Sequence, residues 1–290
     1  MKPLDITLAV GIAIVWGLGF VVTRVAVEEM SSSLLTTLRF AVMALPCILL
    51  PRPKLAWPVL IGISLMLVCQ FLSQTYGIAH GVPAGLTAVI VQSQALFTVA
   101  LAAVIFSEMP TRAQIIGIAI SSCGLLMICG TVGYDFDVAP FLVVMIAPIA
   151  FAISNLMLRR VRGVSMLDLG AWVGLVAMVP LLAAVLFVDG PAATWQALTH
   201  MSLFVALCVL FLGVVGTSFG YWVWGRLLHK YTAAQVVPFA LLVPFVGALG
   251  SSLAFGETFG PLRAAGMIVV VCGIAVMLLT GRVKTLPEVG

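Results

Sequence analysis

Phe106-Ser107-Glu108-Met109-Pro110 and Phe255-Gly256-Glu257-Thr258 stand 149 residues apart in this 290-residue chain. The register continues beyond them. Gly117 is matched by Gly266 at the same interval, and Cys123-Gly124 by Cys272-Gly273. In both places the glutamate closes one apolar stretch, and a glycine-bearing apolar stretch follows. The chain therefore reads as one unit written twice, over residues 1–133 and 134–290.

Outward from these motifs, apolar stretches fill the chain. They are Ile6–Val25, Leu34–Leu50, Trp57–Ala79, Ala84–Phe106, Ile115–Thr131, Val138–Leu158, Met166–Val188, Met201–Leu227, Ala233–Phe255 and Pro261–Thr280. Most reach the roughly 20 residues a helix needs to cross a bilayer. Hydrophobic residues make up 63% of the chain and charged residues 8%, far from the roughly even balance and quarter share of a soluble domain. The apolar stretches lack the alternation of a membrane barrel, so the expected fold is an all-α integral membrane bundle. Ten transmembrane helices divide as five and five. Because five is odd, the second unit must enter the bilayer from the opposite side. Two inverted repeats around a central cavity are the plan this predicts.

Basic residues orient the bundle. With the N-terminus inside, the cytoplasmic set is Lys2, Arg52, Lys54, Arg112, Arg159, Arg160, Arg162, Arg226, Lys230, Arg282 and Lys284, against Arg24 and Arg263 outside. Both termini are expected to be cytoplasmic. Glu28, Glu29, Asp135, Asp137, Asp189 and Glu257 fall in the outer loops. The net charge of +4 is thus a matter of topology, and no basic patch interleaved with aromatics suggests nucleic acid. The first stretch is too long for a signal peptide and lacks a small-residue cleavage site. The cysteines, Cys47, Cys69, Cys123, Cys129, Cys208 and Cys272, have no metal-ligand spacing and read as small reduced core residues. The paired glycines on the fifth and tenth spans suit close helix packing, so a monomer is expected over a glycine-seamed dimer.

Trp16-Gly17 with Phe20 and Arg24, Leu38-Arg39-Phe40, and Glu108-Met109-Pro110 running into Gly117 and Cys123-Gly124 occur in fixed order. With these motifs the chain resembles the drug/metabolite transporter superfamily and, within it, the EamA-type ten-helix permeases. The resemblance covers essentially the whole chain. It implies a multi-pass exporter in a bacterial inner (plasma) membrane, with a small-molecule substrate. It also implies a cavity lined by the first, third, fourth, sixth, eighth and ninth spans and supported by the fifth and tenth.

Polar side chains inside apolar spans are costly unless they face the interior or water. Gln70, Ser73, Gln74, Tyr76 and His80 cover about half of the third helix. Gln94 stands on one face of the fourth with Thr87 and Thr98, away from Gln92. The sixth carries Ser154 and Asn155, and the eighth Thr217, Tyr221 and Trp224 at helical spacing beside Trp222. Trp16 and Trp172 lie within spans rather than at their ends. The candidate substrate-binding set is Trp16, Gln70, Ser73, Gln74, Tyr76, His80, Gln94, Asn155, Trp172, Tyr221 and Trp222. Two readings stand for each: cavity lining, or polar and aromatic packing between helices. His80 near a span end also suits the wet interface. Pro148, Pro238 and Pro244 are candidate hinges, or static kinks. Arg39 reads as a structural anchor near a helix end, with a substrate carboxylate as the other reading.

The remaining chemistry narrows the class. No Asp or Glu sits in the middle of a span, which disfavours a proton antiporter without closing that alternative. One intramembrane arginine is too few for a phosphate carrier. The positions five after His80, His200 and His229 are Gly85, Val205 and Ala234, so no acyltransferase motif is present. No metal, cofactor or catalytic set is expected. An amino acid with an aromatic or other hydrophobic side chain is the expected substrate, exported by alternating access with no or weak coupling.

Overall fold

A computed structural model describes residues 1–133, 136–159, 161 and 163–280. Asp135, Arg160, Arg162, Arg282 and Lys284, five of the charges used to orient the chain, lie outside the described residues, as does Tyr134 at the expected boundary of the two units. The described residues are helical, with no strand among them. Among them, nine helices are long and apolar enough to cross a membrane: Pro3–Ala26, Trp57–Ala79, Ala84–Phe106, Arg112–Cys129, Val138–Leu158, Met166–Asp189, Leu203–Lys230, Val237–Phe255 and Pro261–Leu278. Ser32–Ile48 is a shorter apolar helix between the first two, its last turn tightened to a 3-10 turn at Leu45–Ile48. With it in second place, the helices are numbered first to tenth span below.

Local chemistry fixes the ends. Proline in the first turn opens the first and third spans, where its missing N–H costs nothing. Ser31 and Ser202 cap the second and eighth by accepting from Leu34 and Val205 N–H. A capping box between Thr111 and Gln114 starts the fifth. The fourth and ninth stop at the repeated motif in the same way. Ser107 has φ 53° and Gly256 φ 65°, left-handed residues at equivalent positions, followed by Glu108 and Glu257.

Several spans are broken. The fourth breaks at Ser93, between Ala84–Gln92 and Gln94–Phe106. The ninth breaks 148 residues later, at Leu241, where the 3-10 turn Val237–Leu241 meets Leu242–Phe255. The sixth breaks at Met145, and the eighth widens to a π-helix over Phe211–Phe219. Pro148 and Pro244 are each the third residue after a break, and Pro238 lies in the 3-10 turn. All three thus sit where a helix is already interrupted. Pro244 cannot donate to the carbonyl of Ala240, four residues back. Gln92 Nε2 donates to that carbonyl instead, at 2.8 Å.

The fifth and tenth spans cross at van der Waals contact of backbones. A Cβ on Gly117 would lie 2.5 Å from Gly273 O, and one on Gly124 2.7 Å from Gly266 O. Ser121 Oγ donates to Val270 O across the same seam. The pairing of 117 with 273 and of 124 with 266 means that these two helices run antiparallel. Elsewhere the second span packs on the seventh, the fourth on the ninth, the first on the eighth and ninth, and the sixth on the third and fourth.

Residues Pro191–His200, between the seventh and eighth apolar stretches, form a surface helix with no buried residue, its Trp195 exposed as an interfacial tryptophan would be. One expectation is corrected. The cysteines are all free, but only Cys208 is buried; Cys69, Cys123, Cys129 and Cys272 are exposed on the outside of the bundle. Small apolar side chains suit a lipid-facing surface as well as a core.

Candidate functional site

A cavity of about 470 Å³ lies within the bundle, in the usual range for a small-molecule site. It is lined by the first, third, fourth, sixth, eighth and ninth spans, as expected, and also by the second through Arg39 and Met43 and the seventh through Met166, Leu169, Gly170 and Val173. Among the described residues, none of the fifth or tenth span lines it.

The third span shows how the site is selected. Its lining residues are Ile63, Leu67, Gln70, Phe71 and Gln74. At about 100° per residue these occupy a strip roughly 100° wide. Ser73, Tyr76 and His80 fall on the other side of Gln70, about 60° to 120° away, and do not line the cavity. Ser73 instead bonds back to Cys69 O and Gln70 O. Tyr76 and His80 stack on each other at 3.9 Å between centroids, with the exposed His80 at the end of the span. Polarity covers half of the helix, whereas the cavity takes one strip of it.

Trp16 lines the cavity, its Nε1 donating to Gly216 O at 2.8 Å. It packs against Tyr221 at 6.0 Å and Trp224 at 5.0 Å, so the three rings form an aromatic wall. Tyr221 stands there as expected, and Trp222 does not. Trp222 lies about 100° round from Tyr221, faces outward at 40% exposure and packs on Phe219. Trp224, at i+3 from Tyr221, takes the place expected of it. Trp172 is likewise off the cavity, in the cluster of the second, third and seventh spans, with its Nε1 donating to Leu50 O at 3.3 Å.

Gln94 and Asn155 line the cavity together, Asn155 Nδ2 donating to Gln94 Oε1 at 2.7 Å. Gln92 lines it as well. A continuous helix would have turned Gln92 away, but the break at Ser93 resets the phase. Gln70 and Gln74 are 4% and 5% exposed, and the Oε1 of each is buried without a hydrogen-bond partner. Such orphaned acceptors cost on the order of 1–3 kcal/mol each and call for an explanation. Arg39, expected to anchor a helix end, lines the cavity instead. Its Nε donates to Thr217 Oγ1 at 2.9 Å, and its guanidinium stands 4.1 Å over the Phe71 ring.

The lining runs out to Arg159 and Leu228, exposed at the end that carries Lys2, Arg52, Arg112 and Lys230. There Arg159 pairs with Glu108 at 2.8 Å, and Asp5 pairs with Lys230 at 2.6 Å and accepts from Tyr231. At the opposite end carboxylates sit on helix N-termini, where the backbone dipole favours them. Glu257 accepts from the N–H groups of Ala84 and Gly85 at 2.9 and 3.3 Å and from Ser251. Glu29 accepts from Ser202 N–H, and Asp189 from Ser31 and Ser33. Among the described residues no group of His, Cys, Asp and Glu could hold a metal ion.

Residues 4–130 and again 139–279 match the EamA-like transporter family. A probable amino-acid metabolite efflux pump of Salmonella typhimurium is 33% identical over 98% of both chains. A protein of the same description from Escherichia coli is 31% identical over the full length of both. A probable terminal-alkyne amino-acid exporter of Streptantibioticus cattleyicolor is 27% identical over 71% of this chain and 67% of its own. A crystal structure 19% identical in sequence matches with a TM-score of 0.60 over 94% of this chain and 96% of the other.

Proposed function

The chain belongs to the EamA-like transporter family, and on that premise we propose that it exports amino acids, aromatic and other hydrophobic ones, across a bacterial inner membrane. The observation that carries this reading is the cavity. Two glutamine amides with orphaned oxygens stand in it beside a wall of Trp16, Tyr221 and Trp224, a polar pole next to an apolar one. The printed descriptions of the relatives support the same substrate class. A resemblance to the bacterial aromatic amino-acid exporter YddG, carried by the same motifs, points the same way.

In this reading ten spans, counting the short Ser32–Ile48, form two inverted five-helix repeats, residues 1–133 and 134–290, and both termini are cytoplasmic. The antiparallel fifth–tenth seam and the left-handed stops at Ser107 and Gly256 support the repeat. The Lys/Arg-rich end supports the orientation. Transport proceeds by alternating access, with the helix breaks at Pro148, Pro238 and Pro244 as hinges. The lining carries glutamine, asparagine and arginine and, among the described residues, no carboxylate, which supports uncoupled or weakly coupled movement; the glycines of the fifth and tenth spans pack within the chain, which supports a monomer.

Vesicles holding the purified protein and labelled phenylalanine, tryptophan, leucine or methionine test the reading. Saturable, competitive flux is expected, changing less than about two-fold when a proton gradient is imposed. No saturable flux of any of the four overturns the substrate class. Flux that follows the proton gradient overturns the uncoupled mode in favour of an antiporter.

A further inference from the structure

Arg39 is a cation without an anion. Among the described residues, no carboxylate oxygen lies within 4.0 Å of it, and only its Nε–H is hydrogen-bonded. Thr217, which accepts that bond, spends its own proton on Leu212 O at 2.7 Å. This fixes the hydroxyl lone pair toward Arg39 and sets the plane of the guanidinium. Phe71 backs the other face of the group at 4.1 Å. The side chain is thus held from two sides. Both Nη atoms, the fork that suits a carboxylate, are left without a partner among the described residues. A charge in a membrane interior is expected to meet a counter-charge, and these residues supply none.

The complementary defect lies on the adjoining strip. Phe71 follows Gln70 and precedes Gln74 by one turn, so the helix face that supports Arg39 adjoins both amides. Each belongs to a residue that is more than nine-tenths buried and lines the cavity, and each has an enclosed Oε1 without a donor. An unpaired cation and unpaired acceptors side by side require a ligand that is anionic at one atom group and N–H-rich at the next. A free α-amino acid carries that pattern, as carboxylate and ammonium on one carbon. Gly216 links the fork to the aromatic wall. A Cβ on it would lie 3.9 Å from Arg39 Nη2, and its carbonyl oxygen is the acceptor of the Trp16 indole. The wall therefore begins next to the fork, where a ligand's side chain would leave the α-carbon.

Building on the amino-acid reading above, we infer that Arg39 holds the α-carboxylate of the substrate, that Gln70 and Gln74 accept from its α-ammonium group, and that Thr217 positions Arg39. The side chain of the substrate lies toward Trp16 and Tyr221. The site then demands both ends of the zwitterion, and amidated or deaminated analogues bind poorly.

Calorimetric binding to the full chain in lipid nanodiscs tests this with L-phenylalanine, phenylalaninamide and 3-phenylpropionate. The expected result on the unaltered protein is at least about ten-fold tighter binding of phenylalanine than of either analogue, as when a site built for a polar partner is denied it. Arg39→Gln should weaken phenylalanine at least about ten-fold while leaving phenylalaninamide unchanged. Arg39→Lys, which keeps the charge without the fork, should fall between. Equal affinity for phenylalanine and its amide on the unaltered protein overturns the inference, a result that does not depend on any variant folding. So does an Arg39→Gln protein that loses both ligands alike. Saturable phenylalanine flux with an unchanged KM in both arginine variants sinks this inference and leaves the amino-acid reading standing. Absence of any amino-acid binding and flux in the unaltered protein sinks both.

Discussion

In the proposed repeat the two ends of the cavity carry matching motifs, Glu108 at one and Glu257 at the other, and they are built differently. At the acid-rich end the first span packs directly on the third span and on the first half of the fourth. At the Lys/Arg-rich end their counterparts, the sixth span against the eighth and ninth, have no comparable packing. The repeated glutamates differ in the same sense. Glu257 is inserted onto the N-terminus of the fourth span at Ala84 and Gly85. Glu108, 149 residues earlier, is half-exposed and held by Arg159. One end is thus closed by a half-buried carboxylate seated on a helix terminus, and the other stands open with the glutamate 149 residues earlier drawn aside to Arg159. The two ends differ both in how the helices pack and in where the glutamate is satisfied. The same chain offers the same group at both ends.

Solvent access gives the largest contrast. In a detergent-solubilised chain whose native cysteines are replaced by serine, Leu228→Cys at the open end should react readily with a polar maleimide. Ser251→Cys at the closed end, where the serine is fully buried, should react more slowly by an order of magnitude or more, as expected of a minor state populated at about 10% or less. Adding Glu257→Ala should raise the rate at position 251 several-fold and leave position 228 unchanged. Equal rates at the two positions in the parent chain break the comparison.

Stability gives a smaller contrast. Glu257→Ala removes a cap from the fourth span and leaves the Ser251 hydroxyl proton without its acceptor, a loss of about 1–2 kcal/mol. For a chain of this size that corresponds to a melting shift of roughly 2–4 °C. Glu108→Ala removes an exposed ion pair worth about 0–1 kcal/mol and should lower the melting temperature by about 2 °C at most. Thermal unfolding in detergent, read for both variants side by side, checks the ranking. A larger loss for Glu108→Ala reverses the assignment of the closed end.

Which parts are legible in the sequence is decided by the same physics. The span order, the repeated stop at Phe106 and Phe255, and the glycine seam come from composition and register, which tertiary packing does not alter. Trp16, Gln70, Gln74, Gln94, Asn155 and Tyr221 stand out by polarity or aromaticity inside apolar helices, and the cavity contains all six. Gln92 is misplaced by an ideal helix drawn through Ser93, and no proline or glycine between Leu86 and Phe106 announces the break. Ser73, Tyr76 and His80 group with the glutamines because polarity alone does not say which strip of a helix faces inward. Trp222 enters the expected set in place of Trp224, although the i, i+3 spacing from Tyr221 favours the latter. Arg39 reads as an anchor because its neighbours Thr217 and Phe71 are distant in sequence.

The smallest effect concerns the stops themselves. Ser107 and Gly256 occupy equivalent positions, and both are left-handed, at φ 53° and φ 65°. Serine adopts that region at a cost of roughly 1 kcal/mol, which glycine avoids. Ser107→Gly should therefore stabilise the chain by about 0.4–1 kcal/mol, less what is lost to the more flexible unfolded chain, and raise its melting temperature by roughly 1–2 °C. Gly256→Ser should lower it by a similar amount. Opposite shifts of similar size mean that the two turns are the same turn, so the asymmetry of the ends begins after them, at Glu108 and Glu257. If Ser107→Gly destabilises instead, the serine at the open end is held by more than backbone geometry, and the difference between the ends begins one residue earlier.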